Sequence, residues 1–147
     1  MSERKDLIQE FVSVPAAELL ETVSDIKTKG YRLGQICATT LDDVLEVLYS
    51  FEKDFTLKNL KVETPARSAE LYSVTAIYPP AFIYENEIHD LFGITFKNLA
   101  IDFGGHFFKI AKETPWNPQA HEAREEIPEA PEGARKDPEE IQEGGGE

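Results

Sequence analysis

Three stretches of the chain alternate apolar and polar residues with the period of a pleated strand, and two others space them with the period of a helix. Over 31–39, Tyr31, Leu33, Gln35 and Cys37 alternate against Arg32, Gly34, Ile36 and Ala38. That register puts Cys37 on the same side as Leu33, as a small buried hydrophobe. Over 44–51, Leu45, Val47, Tyr49 and Phe51 share one face, and aromatic and β-branched content favours a strand. Residues 55–62 alternate less cleanly. Thr40–Asp43 and Glu52–Asp54 are short polar links, so these strands form an antiparallel meander. A short strand over 10–14 precedes them, ended by Pro15.

The first helical stretch, 16–29, carries Ala16, Leu19, Leu20, Val23 and Ile26 on one stripe. Ser13 is a possible N-cap, and Lys27, Lys29 and Gly30 provide the stop. The second, PAFIYENEIHDLFGITF over 80–96, has clearer ends: Pro80 suits the first turn and Gly93 a left-handed C-terminal cap. Stepping 100° per residue, Tyr84, Ile88, Leu91 and Phe92 cluster on one face, with Glu85, Asn86, His89 and Asp90 opposite. The opposite face therefore reads as solvated. Glu87 falls between Ile83 and Leu91 on the apolar margin, where a carboxylate must snorkel or find a partner. A short helix capped by Ser73 and running through Tyr78, and a short extended edge at Thr95–Phe96, complete the elements. The expected architecture is α+β, an antiparallel sheet of about three to four strands with helices on one face, plus an extended acidic C-terminal tail.

Composition sharpens the boundary between domain and tail. The 147 residues are 41% hydrophobic, enough for one core over 1–116. Residues 117–147 hold ten acidic and three basic residues, four prolines and four glycines, with only Ile127 and Ile141 large and apolar. Such a segment is expected to be disordered alone or wrapped on a partner. The formal charge of −13 leaves no basic patch for nucleic acid or an anionic membrane surface. No apolar run reaches membrane-spanning length and the N-terminus lacks a signal-peptide core, which predicts a cytoplasmic chain. One cysteine cannot build a disulfide, an iron–sulfur cluster or a thiolate zinc site.

The candidate chemistry is sparse. Glu85 and His89 are four apart and Glu87 and Asp90 three apart, but a zinc helix needs a second histidine, and His106 and His121 lie in loop and tail. Gly104–Gly105–His106 lacks the Lys-Ser/Thr of a phosphate loop. The expectation is a chain without a catalytic centre, metal or cofactor of its own. Phe103, Phe107 and Phe108 flank the Gly104–Gly105 turn, and Trp116 follows; so many aromatics point to docking, on this domain or on a neighbour.

The letters ENEIHDLFGITF resemble the Glu-Arg-Glu-x-x-Asp-hydrophobic-Phe-Gly-Ile signature of the 30 kDa subunit of respiratory complex I. They are closer still to the Glu-Asn-Glu-x-His-Asp-Leu-Phe-Gly version in the related subunit of membrane-bound, energy-converting NiFe hydrogenases. The matching positions are Glu85, Asn86, Glu87, His89, Asp90, Leu91, Phe92, Gly93 and Ile94, and IYPPAF at 77–82 also fits. Weaker likeness covers 8–116. Where the complex I signature runs on into a Gly-His-Pro-Asp-Leu-Arg-Arg-like segment, Asn98, Leu99 and Ala100 stand here, which favours the hydrogenase branch.

The resemblance implies the same α+β fold and a non-catalytic subunit in the cytoplasmic arm of an ion-translocating membrane complex. Its partners would be a nickel-bearing large subunit and an iron–sulfur small subunit, which hold the NiFe centre and the clusters. The partner interface is expected at Glu85, Asn86, Glu87, His89, Asp90, Phe92, His106, Phe107 and Trp116. Within it, Glu87 is expected to meet a cation on the partner and Glu85, nearer water, to matter less. The alternatives are the equivalent subunit of a complex I-like oxidoreductase or of a sulfur-reducing membrane complex, and, in a different class, a stand-alone metal-binding protein or enzyme.

Overall fold

The computed structural model of the protein describes residues 6–120. The meander forms as the alternation predicts: β2 (Arg32–Leu41), β3 (Val44–Lys53) and β4 (Thr56–Pro65) pair antiparallel in sequence order. The turn residues Asp42, Asp54 and Phe55 take positive φ, which lets the links stay this short. Strand β1 (Ile8–Ser13) adds to β4 in parallel, giving the order β1-β4-β3-β2. Periodicity could not show this pairing, because β1 is an edge strand whose six residues are all exposed. After Pro15 and a single 3-10 turn (Ala16–Glu18), helix α1 (Leu19–Thr28) crosses back towards β2, burying Leu19, Val23 and Ile26.

The predicted face of β3 is the centre of the core. Leu45, Val47, Tyr49 and Phe51 are fully buried, facing Leu60 and Val62 of β4. These six side chains belong to the same core cluster as the buried apolar residues of α1 and of α2 (Ala81–Phe92).

Strand β2 departs from the simple alternation. Leu33 pairs with Phe51 but Gln35 pairs with Ser50, so Gly34 is the extra residue of a bulge. A Cβ at Gly34 would stand 3.3 Å from the Ser50 carbonyl oxygen, a close approach that suits glycine. One inserted residue inverts every later side chain. Ile36 therefore faces the core at 4% exposure, and Cys37 is exposed on the opposite face rather than buried. Partial burial and the nearby Glu46 carboxylate hold its thiol above the ordinary cysteine value.

The segment before α2 also differs from expectation. Residues 70–72 form a short strand, β5, paired in parallel with β6 (Thr95–Lys97), which is the extended edge anticipated after the second helix. No helix forms over 73–78. Ser73 turns its hydroxyl to Glu85 instead of capping, and the chain reaches Pro79–Pro80 through turns. No helix among the described residues is long and apolar enough to cross a membrane. Of the acidic tail, 121–147 lies outside the described residues. Asn117, at its start, is fully buried and donates its side-chain N–H groups to the carbonyls of Ala66 and Phe92.

Candidate functional site

Helix α2 begins and ends where its letters predict. Pro80 is its N-cap residue, and Gly93 closes it at φ 74°, donating its N–H to the His89 carbonyl at 2.9 Å. A Cβ on Gly93 would meet Thr114 Cγ2 at 2.8 Å, besides straining the left-handed backbone. Gly93→Ala is expected to lower stability by about 2 kcal/mol, read by urea denaturation. A loss below about 0.5 kcal/mol would show that the 114 segment yields freely.

What the sequence misjudged is the helix's polar side. Glu85 and Asn86 are fully buried and Asp90 is 4% exposed, while Ile83 faces water. The cause lies in two irregular segments, 73–80 and 98–117, that wrap this side of the helix. Their backbone groups lack ladder partners and must be satisfied some other way once buried. The polar side chains of α2 satisfy them.

Each contact is specific. Glu85 Oε2 accepts the Ser73 hydroxyl at 2.5 Å, and its Oε1 accepts the Val74 N–H at 2.8 Å. With its proton given to Glu85, Ser73 Oγ accepts from Thr75, whose Oγ1 in turn accepts the Ala100 N–H at 3.1 Å. Asn86 Nδ2 donates to the carbonyls of Phe82 and Ile101, both at 2.7 Å, and its Oδ1 accepts the Phe103 N–H at 2.9 Å. Asp90 Oδ2 accepts the Phe108 N–H at 2.8 Å. At the helix end the Trp116 N–H reaches the Leu91 carbonyl at 3.0 Å, and the Trp116 carbonyl accepts the Thr40 hydroxyl. A loop with almost no secondary structure is thus tied at five points.

Burial sets the electrostatics. It pushes the Glu85 carboxyl up to about 7, against the opposing pull of the Ser73 and Val74 hydrogen bonds. The fully buried Tyr49 hydroxyl has no hydrogen-bond partner among the described residues, and burial together with the Glu85 charge raises it well above the ordinary tyrosine value. His89 Nδ1 lies 2.8 Å from the Ile94 carbonyl. A carbonyl only accepts, so Nδ1 carries the proton and Nε2 of the neutral ring is left as an acceptor.

The nine residues expected at the interface therefore divide. Glu85, Asn86, Asp90 and Phe92 are buried inside the chain, and Phe92 packs against Trp116 with ring centroids 5.4 Å apart. Glu87 is half-buried and Glu85 is not near water, which reverses the order of exposure expected for these two carboxylates. His89 and Phe107 are half-buried, and His106 and Trp116 are exposed. Phe107 joins the rings of Phe103 and Phe108, of which the last two remain exposed. Ser73, Thr75 and Asn117 were missed by sequence reasoning, and Tyr49 was read only as part of the core face of its strand. Only Ser73 carried a signal, and its short polar side chain was assigned to a cap.

Residues 12–101 match the profile of the family described as respiratory-chain NADH dehydrogenase, 30 Kd subunit. The chain belongs to that family. The match spans the end of β1, strands β2 to β4, α2 and the loop as far as Ile101. The comparison with curated proteins gave no match. Among solved structures, the family fold is similar to Nqo5 in its trypsin-resistant fragment, at 23% identity and a TM-score of 0.54 over 60% of this chain and 78% of that one. It is also similar to a chain of the membrane-bound sulfane sulfur reductase, described as an archaeal respiratory membrane complex. There the identity is 20% and the TM-score 0.65, over 97% of this chain and 88% of that one.

Proposed function

We propose that the chain is a non-catalytic peripheral subunit of a membrane-bound, energy-converting NiFe hydrogenase. In this reading it packs on the nickel-bearing large subunit at the cytoplasmic face, and the NiFe centre and iron–sulfur clusters sit in its partners. The observation that carries the proposal is how the signature is used. Its Glu85, Asn86 and Asp90 hold the chain's own backbone, a scaffolding use rather than a set of groups converging on a substrate. What they display is the aromatic loop, with Phe103, Phe108 and Trp116 exposed, a surface suited to a subunit contact. The Glu-Asn-Glu-x-His-Asp-Leu-Phe-Gly form of the signature supports the hydrogenase branch. A second reading, the same place in a sulfur-reducing membrane complex, draws support from the fold likeness that extends over 97% of the chain.

The test is affinity purification of the tagged chain from detergent-solubilised membranes of its native host, followed by subunit identification and metal analysis. Co-purification with a large subunit bearing Cys-x-x-Cys pairs and stoichiometric nickel is expected. A nickel-free complex with sulfur-reducing activity would transfer the chain to the second reading. Recovery as a lone soluble protein would overturn both.

A further inference from the structure

A cleft of about 220 Å³ opens between the C-terminal turn of α2 and the loop it holds, lined by His89, Asp90, Gly104, Gly105, His106 and Thr114 among others. Two acceptors at this cleft are unused. Asp90 is 4% exposed, and while its Oδ2 takes the Phe108 N–H, its Oδ1 is buried with no hydrogen-bond partner among the described residues. In the neutral ring, with Nδ1–H donating to the Ile94 carbonyl, His89 Nε2 is an acceptor, and it faces Gly105, where a Cβ would lie 3.9 Å away. A buried carboxylate oxygen left without a donor is uncommon in a folded protein and asks for an explanation. Among the described residues no three His, Cys, Asp or Glu side chains group closely enough to hold a metal ion. The occupant that fits two acceptors and a negative charge is a cation rich in N–H donors.

We propose that this cleft receives one basic side chain, a guanidinium, from the partner subunit, donating to Asp90 Oδ1 and to His89 Nε2. The planar fork of a guanidinium can serve both acceptors at once, whereas an ammonium acts as a point charge. In sequence, the exposed aromatics Phe103 and Phe108 flank the Gly104–His106 turn that lines the cleft, and they offer apolar contact area on the same loop. This assigns the charged contact of the interface to Asp90 rather than Glu87. It rests on the subunit reading above for the source of the cation, but not for the cleft's chemistry.

The two parts are tested separately. In the full chain alone, titration with methylguanidinium chloride followed by amide NMR should give saturable shifts at Phe108, Gly105 and His106. Asp90→Asn keeps an acceptor for the Phe108 N–H but removes the charge, and should weaken that binding at least tenfold with an unchanged melting temperature. In the native complex, Asp90→Asn should lower co-purification at least tenfold, and Glu63→Gln, an exposed carboxylate on β4, should not. Absence of saturable shifts at the cleft, shifts with zinc but not methylguanidinium, or full retention of Asp90→Asn would each overturn the proposal. If the wild-type chain co-purifies with no complex, the subunit reading fails, and the titration still decides whether the cleft takes a guanidinium.

Discussion

Glu85→Gln is expected to be close to neutral at pH 5 and to stabilise the protein by about 3 kcal/mol at pH 8. Burial raises the Glu85 carboxyl from 4.5 to about 7. Between those values the folded chain keeps a proton that the unfolded chain releases. The contribution of Glu85 to stability is therefore complete below about 4.5 and is lost as pH rises through about 7. A gap of roughly 2.5 units at about 1.4 kcal/mol each gives the magnitude. Glutamine cannot ionise, and its amide can still accept the Val74 N–H and donate to Ser73, whose hydroxyl turns to suit. Other titrating groups are common to both proteins and cancel in the difference. Urea denaturation of both at pH 5 and pH 8 measures it, and parallel pH profiles would refute an uncompensated buried carboxyl. Glu85→Ala is the contrasting variant. It strands the Ser73 hydroxyl and the Val74 N–H and opens a cavity, for a loss of roughly 3–5 kcal/mol at pH 5.

Asn86→Ala is expected to lower stability by about 3 kcal/mol and to release the loop that α2 holds. Three hydrogen bonds disappear at once from a fully buried site, and the carbonyl of Ile101 and the N–H of Phe103 lose their side-chain partner. Net values near 1 kcal/mol per bond set the scale. The loss should be concentrated in space. Hydrogen exchange at the Phe103 amide should rise well beyond the change at Tyr49 or Val62 in the sheet. Asn86→Asp should be no milder, because it replaces a donor by an acceptor facing two carbonyl oxygens. Equal acceleration everywhere would mean that Asn86 supports the whole core and does not act as a clamp for this loop.

Both variants concern residues whose sequence context pointed outward to water. The limits of α2 were legible because they depend on local backbone chemistry: Pro80 has no N–H to lose, and Gly93 takes a left-handed φ without strain. The core face of β3 was legible for a similar reason. A strand buried on one side repeats every two residues, and Leu45, Val47, Tyr49 and Phe51 keep that repeat unbroken. The family likeness was legible in the letters of α2 themselves.

Three features were decided only by the tertiary structure. The bulge at Gly34 turned Cys37 outward, since one unpaired residue inverts a strand and leaves no trace in the hydrophobic pattern. The parallel pairing of β1 with β4 joins residues far apart in the chain, and the register that satisfies their backbone groups is a property of the sheet. The polar side of α2 became interior because two segments without secondary structure close over it. Their unpaired N–H and C=O groups need partners in the dry interior, and Glu85, Asn86 and Asp90 supply them. A helical wheel counts polar side chains but not the backbone groups that will come to meet them, so the side that seemed made for water became the one that holds the loop.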